Sequence, residues 1–146
     1  MRTTKLWVAA VLLTMAVATD ARDDHLLLSI DEAMNTPAAR EKLDPSIRLY
    51  FGKERRPTAA KSIGTWTTNK RTNAFGKNDK DACEWVFLSA MMQLQERARK
   101  EGGDAVIGIE SVYKNIVTSS ETEYMCGAGN VVAGVAFRGE VVKLAR

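Results

Sequence analysis

The sequence predicts a single α+β domain in which one main helix packs on a small, mostly antiparallel sheet. A long segment ending near Lys100 carries apolar residues at helical spacing, whereas the segments before and after it are short and rich in strand-forming residues. The chain has 146 residues, of which 45% are hydrophobic and 27% are charged. That length allows one ordinary domain, and that composition excludes disordered, collagen-like and polytopic membrane proteins.

Residues 1–21 are predicted to be a secretory signal peptide. Arg2 and Lys5 precede an apolar run, Leu6–Ala18, and small residues allow cleavage after Ala18 or after Ala21. The run is too short to cross about 30 Å of hydrocarbon as a helix. An uncleaved anchor and a buried N-terminal helix are the alternatives. We expect a cleaved chain with no transmembrane segment, located in the periplasm or secreted.

Residues 22–45 are predicted to be a lead-in, followed by one α+β domain over residues 46–146. Within the lead-in, Ile30–Leu43 has the composition of a helix, and the Asp44–Pro45 pair ends it. Helix-stopping residues at this point indicate that the sheet begins after residue 45.

Two strands are predicted ahead of the main helix. Ile47–Phe51 and Lys61–Thr68 are rich in β-branched and aromatic residues. The segment that follows, Asn69–Asp81, is polar and contains Asn, Gly and Asp residues that are typical of loops. We therefore expect the second strand to end near Thr68.

The main helix is predicted to start at a cap on Asp79 or Asp81 and to run to about Lys100, where Gly102-Gly103 ends it. Its second half, from Gln95 to Glu101, is mostly charged and is expected to face water. One face carries an apolar stripe at i, i+3, i+4 and i+7 spacing, formed by Cys83, Val86, Phe87, Ala90, Leu94 and Ala98.

The remaining residues predict the other strands of the sheet. Asp104–Tyr113 alternates as a strand, and Val117–Tyr124 is a more polar strand that is expected to pair with it through a turn near Lys114. Val131–Leu144 is either one long strand bent at its glycines or a hairpin that turns at Gly139.

Cys83 and Cys126 are the only two cysteines of the chain. In an exported protein an even pair first indicates a disulfide. Closing the 44 residues from 83 to 126 would stabilise the fold by about 4 kcal/mol. A reactive Cys83 thiol near a helix start and a two-cysteine metal site stay as alternatives, although the single histidine, His25, lies in the lead-in. We predict a disulfide, with no metal and no cofactor.

No catalytic motif is found in the sequence. It contains no phosphate-binding loop, zinc-protease motif or nucleophile elbow, and a single histidine offers no Ser-His-Asp arrangement. The lone Gly127-Ala128-Gly129 precedes a strand, which indicates a turn and not a nucleotide site. We expect a non-enzymatic protein.

One stretch, Lys53–Lys80, is strongly basic, with eight basic and two acidic residues in a chain of net charge +3. An ordinary solvated face explains such a stretch, and it does not by itself indicate a specific nucleic acid. The functional interpretation is a surface for an anionic envelope polymer or an acidic partner protein. Its candidate residues are Arg55, Arg56, Lys61, Lys70, Arg71 and Lys77.

A resemblance covers most of the chain after the leader and is carried by the segments DACEWVFLSAMMQLQERARKEGGDAVIGIESVYKN, SSETEYMCGAG and GVAFRGEVVKL. These segments resemble a group of small exported bacterial proteins of unknown function, which are often labelled excinuclease ATPase subunits. The chain has no Walker lysine and no zinc-binding cysteine pairs. An excinuclease or ATPase role is therefore not expected.

The pattern helix–Gly-Gly-Asp-Ala-Val–strand and the late cysteine also resemble two more distant groups. One is the outer-membrane lipoprotein sensor of the Rcs envelope-stress relay, and the other comprises small putative heavy-metal-binding domains. The first resemblance implies an α+β domain with a disulfide from ahead of the helix to the start of the last strand, which matches Cys83 and Cys126. This chain has neither the lipid-bearing cysteine nor a set of metal ligands.

These observations together predict an exported, non-enzymatic, envelope-associated binding or structural module. The alternative is a small periplasmic protein that handles thiols or metals through Cys83 and Cys126.

Overall fold

The structure, a computed structural model, describes residues 21–54 and 56–145. Residues 1–20 of the predicted leader, and Arg55, lie outside the described residues. The predicted α+β class with one main helix is confirmed. In chain order the elements are β1 (Asp24–Ser29), α1 (Ile30–Met34), α2 (Pro37–Lys42), β2 (Arg48–Phe51), β3 (Ala59–Asn73), α3 (Asp79–Lys100), β4 (Ala105–Ser111), a 3-10 turn (Tyr113–Asn115), β5 (Glu123–Ala128) and β6 (Val132–Leu144).

The six strands form one curled sheet around β6. One edge of β6 pairs antiparallel with β3 along its whole length, from Val132 opposite Asn73 to Leu144 opposite Ala59. The other edge pairs antiparallel first with β5 and then with β4. β1 adds to β5 antiparallel, and β2 adds to β4 in parallel. The sheet is thus mostly antiparallel, as predicted, with β2 as its one parallel addition.

The lead-in segment differs from its prediction because it belongs to the sheet. β1 pairs with β5 over six positions, from Asp24 opposite Ala128 to Ser29 opposite Glu123. Leu26 and Leu28, two residues apart, share one face of this strand and pack against the core. The single helix predicted from residue 30 is split into α1 and α2.

Three strand predictions change in the structure. The prediction that β3 ends near Thr68 is wrong, since it continues to Asn73. The polar residues 69–73 are exposed or half-buried, while their backbone stays paired with β6. Residues 117–122 are not a strand paired with β4, and Ser111 and Thr118 form only an isolated bridge. The C-terminal segment is one long strand and not a hairpin.

Helix α3 packs its apolar stripe against the sheet. Every member of the predicted stripe is at most 2% exposed. The cap is Asn78 and not Asp79 or Asp81, because the Asn78 side chain accepts a hydrogen bond from the Asp81 N–H at 2.8 Å. The prediction that the second half faces water is wrong for Gln95, which is 3% exposed.

The disulfide joins the first turns of α3 to the sheet. The Cys83 and Cys126 sulfur atoms are bonded, and both residues are fully buried. Cys126 lies in β5, the strand before the last, and not at the start of the last strand as the distant resemblance implies. The bond therefore ties the helix to the same strand that carries β1.

Across residues 21–54 and 56–145, no helix has the length and hydropathy that a membrane crossing requires.

One buried polar atom stands out in the core. The Tyr124 side chain is 1% exposed, and its hydroxyl has no hydrogen-bond partner among the described residues. Burial raises the pKa of this phenol above its ordinary value, and the charges of Glu84 and Glu32 add to the effect. By contrast, the Tyr113 hydroxyl donates to Asp23 at 3.0 Å. The two tyrosines thus differ in whether the hydroxyl is satisfied.

We expect removal of the disulfide to destabilise the protein by about 4 kcal/mol, because the unfolded chain regains the freedom of a 44-residue loop. The change is Cys83→Ala with Cys126→Ala, and urea unfolding measures the free energy. Thiol titration of the native wild type should find no free thiol. Two free thiols, or equal stability of the two proteins, would contradict the prediction.

Tyr124→Phe is expected to leave stability unchanged or to raise it by about 1 kcal/mol, because it removes a buried hydroxyl that makes no hydrogen bond. The matched change Tyr113→Phe should cost about 0.5–1.5 kcal/mol, since it removes the bond to Asp23. Thermal unfolding of both variants tests the pair. A larger loss from Tyr124→Phe than from Tyr113→Phe is the result that opposes this account.

Candidate functional site

The basic residues predicted to form one surface are spread along β3 and its flanks. Lys61 and Arg71 are ten positions apart on this strand, which is a path of about 33 Å along the chain at ~3.3 Å per residue. Lys70 and Arg71 are consecutive, so their side chains leave opposite faces of the sheet. Lys70 lines a polar cleft along α3 together with Lys42 and Arg99. Arg71 is on the other face and shares no site with them.

The other candidates of this set are also separate. Arg56 is exposed in the connection from β2 to β3, and Lys77 is exposed in the connection from β3 to α3. These connections flank opposite ends of the 15-residue strand β3. Arg55 lies outside the described residues. The structure therefore does not assemble the predicted basic stretch into one patch.

A different site emerges between α2 and β2, where a cleft of about 420 Å³ opens. Its walls are mainly apolar and include Met34, Leu43 and Ile47, while Arg40 and Arg48 stand exposed at its rim. Its volume is within the range of about 300–1,000 Å³ that is usual for ligand sites. We take this cleft as the candidate functional site.

The cleft lies against the free edge of β2. Four consecutive residues, 47–50, line it. Because consecutive side chains of a strand point to opposite faces, a space touched by all four must run along the strand's edge. The N–H groups of Arg48 and Gly52 donate to the main-chain carbonyls of Asp104 and Ile109, on the β4 side. The main-chain groups of Leu49 therefore point the other way, into the cleft.

A buried glutamine holds the floor of the cleft. Gln95 Oε1 accepts from the Asp44 N–H at 2.9 Å, and Gln95 Nε2 donates to the carbonyls of Asp44 and Ile47 at 2.9 and 2.8 Å. The amide thus satisfies the loop that connects α2 to β2 with three hydrogen bonds. Because both the oxygen and the nitrogen of the side-chain amide are used in these bonds, Gln95 positions the loop and is not free to bind a ligand.

The two rim arginines have no carboxylate partner. Among the described residues, no salt bridge involves Arg40 or Arg48, and the one hydrogen bond of the Arg48 side chain is donated to the Tyr50 hydroxyl, at 3.4 Å. In contrast, Arg22 is paired with Asp24 and Asp79. Uncompensated guanidinium groups at the mouth of an apolar cleft favour a ligand that carries a carboxylate or phosphate.

Asp44 is the one carboxylate among the described residues that line the cleft, and it already has hydrogen-bond partners. Asp44 accepts from the hydroxyl and N–H of Ser46 at 2.6 and 2.9 Å, and from Arg99 at 2.8 Å. The Ser46 hydrogen bond, followed by the Arg99 contact, lowers the pKa of this carboxyl from its ordinary 3.8 to about 2. Its charge is therefore held away from the rim arginines, which leaves the cleft electropositive.

A second polar cluster lies on the opposite face of the sheet. Asp23 accepts from Tyr113, is paired with Lys114, and lies 3.2 Å from His25 Nε2. The Lys114 hydrogen bond, as the largest cause, lowers the pKa of the Asp23 carboxyl. A Cβ on Gly127 would collide with the Tyr113 hydroxyl. These groups bind one another and fasten β1 to the 3-10 turn, so the cluster is structural.

Metal ligands and free thiols were the alternatives for chemistry in this chain. Within the described residues, no group of three or more His, Cys, Asp or Glu side chains is placed to hold a metal ion. Both cysteines are in the disulfide.

Arg40 and Arg48 were not among the residues that the sequence marks as functional. The sequence does place them in a helix and in a strand, but they are eight positions apart, with a turn between the two elements. Their common cleft depends on Gln95, 51 residues away from Asp44. No local pattern signals that contact, because Gln95 lies in a run of charged residues that is typical of a solvated helix face.

We expect Asp44 to make stability fall in acid. Its carboxyl has a lower pKa in the folded protein than in the unfolded chain, so its contribution is present above about pH 4 and is lost as the pH falls towards about 2. Asp44→Asn should flatten the fall in urea midpoint over this window relative to wild type. Glu41→Gln, on the exposed side of α2, is the control. A parallel fall in wild type and Asp44→Asn would rule this out.

No family model, curated protein or solved structure matches this chain. The resemblance to small exported proteins therefore stays a prediction from the sequence.

Proposed function

We propose that this chain is an exported, non-enzymatic binding module of the cell envelope, which holds an acidic partner protein or an anionic envelope polymer. The cleft beside β2 is the observation that carries this proposal. It combines apolar walls with two unpaired arginines, Arg40 and Arg48. A partner must therefore supply both an apolar surface and a negative charge, which is a more specific requirement than attraction to a basic surface.

Export is supported by two independent features. The basic start and short apolar run of residues 1–18 are typical of a secretory leader. The disulfide between Cys83 and Cys126 is of a kind that persists in oxidising compartments and is rare in the cytosol.

A binding role is favoured over catalysis by the state of the polar groups at the cleft. Gln95 and Asp44 are fully engaged in holding the loop. A general acid or base has to be within reach of the substrate proton. The arginines cannot serve because they stay protonated, and the Tyr50 hydroxyl already accepts a hydrogen bond from Arg48. The thiol alternative gains no support, since the two sulfur atoms are bonded and buried.

Retention on the cell envelope tests the proposal. The full chain is expressed with its leader, and the processed protein is expected in the periplasmic fraction. Arg40→Glu with Arg48→Glu should reduce retention on immobilised envelope fraction about tenfold or more, because it reverses both charges at the cleft. Native mass spectrometry of the purified protein identifies the cleavage site.

Lys70→Glu with Arg71→Glu is the matched control, since it changes net charge equally on the surface predicted from the sequence. It should retain nearly wild-type binding. Loss of retention in this control alone would place the site on β3, and equal loss in both variants would indicate general electrostatic attraction. Unprocessed protein in the cytosol would overturn export.

A further inference from the structure

The edge of β2 offers one unpaired stretch of main chain. Ile47 and Phe51, two residues before and after Leu49, already have hydrogen-bond partners. Gln95 donates to the Ile47 carbonyl at 2.8 Å, and the Phe51 N–H donates to the Glu54 carboxylate at 2.9 Å. Between them, the parallel register with β4 directs the N–H and C=O of Leu49 away from that strand, and neither group has a partner in another element among the described residues. The main-chain groups of a single residue, Leu49, are thus left open along the cleft.

We propose that the cleft takes an extended acidic segment of a partner protein, which adds to the free edge of β2. The main chain of Leu49 donates one hydrogen bond to the segment and accepts one from it. A carboxylate of the segment binds at Arg40 and Arg48. This inference rests on the proposed function and names the class of partner.

The main-chain groups favour a peptide over a polymer. An N–H and a C=O of one residue match the C=O and N–H of one residue in an extended chain, which is the basis of recognition by strand addition. An anionic polysaccharide would satisfy the arginines, and its hydroxyls can also hydrogen-bond, but it does not present an N–H and a C=O at the fixed spacing of an extended chain. The groups of Leu49 therefore favour a peptide.

The shape of the cleft sets further requirements on the segment. Successive side chains of an extended segment point to opposite sides, so alternate residues would face α2. The wall opposite β2 offers apolar contacts from Met34, the last residue of α1, and from Leu43, which caps α2. A segment that alternates apolar residues and has a nearby Asp or Glu fits this arrangement. Because the main chain of only one residue, Leu49, is open, the side chains of the segment supply most of the specificity.

Selection from a random heptapeptide library tests the proposal and does not require the partner to be identified first. The probe is the library displayed on phage, and the target is the oxidised, exported protein. Wild type should enrich peptides that alternate apolar residues and contain Asp or Glu. Binding of a selected peptide should fall about tenfold or more in Arg40→Glu with Arg48→Glu, and little in Lys70→Glu with Arg71→Glu.

N-methylation of the selected peptide tests strand addition itself. A methyl group on the amide that donates to the Leu49 carbonyl should weaken binding about tenfold or more, whereas a methyl group on either neighbouring amide should change it little. Leu49→Pro removes the matching N–H without touching the ladder to β4, because that N–H points into the cleft. Circular dichroism checks that this variant folds. If it does not fold, the N-methylated peptides still test strand addition, because they are measured on the wild-type protein.

Each outcome decides between the two proposals. If no acidic peptide is enriched, or if N-methylation has no positional effect, strand addition is wrong. If envelope retention still depends on Arg40 and Arg48 in that case, the proposed function stands with an anionic polymer as ligand. A concentration-dependent dimer that the cleft variant abolishes would identify a second copy of this chain as the occupant and overturn the peptide proposal.

Discussion

The contact of Phe87 with three strands is the interaction on which the rest of the structure depends. Its ring lies 6.0 Å from Phe51 on β2, 4.6 Å from Tyr124 on β5 and 5.6 Å from Phe137 on β6, measured between centroids. Four residues earlier, Cys83 fastens the same helix to β5. One aromatic ring and one covalent bond thus set the position of α3 along the curled sheet.

The position of α3 then determines the cleft. Gln95 is eight residues after Phe87, about 12 Å further along the helix axis, and its amide binds Asp44 and Ile47 on the loop before β2. That loop separates α2 from the edge of β2 and keeps the gap between them open. A shift of one helical turn would take the amide out of reach of the loop, so the helix packing and the binding site are coupled.

Basic residues that are clustered in the sequence do not form one basic patch on the surface of this protein. An extended strand places consecutive side chains on opposite faces and moves about 3.3 Å per residue, so β3 disperses its cations. The compact turn between α2 and β2 does the reverse. It brings Arg40 and Arg48 to the rim of one cleft, although each stands alone in the sequence.

The sequence by itself determined the fold class, the main helix, its apolar stripe and a pairing of Cys83 with Cys126. Helical periodicity is a local property, and two cysteines allow only one pairing within the chain. Only the tertiary structure decided that β1 joins the sheet, that β3 continues through a polar segment, and that Gln95 is buried. Each of these features depends on a partner that is distant in the sequence, which is β5, β6 or the Asp44 loop. That partner supplies the hydrogen bonds that the main chain or the side-chain amide needs in the folded protein.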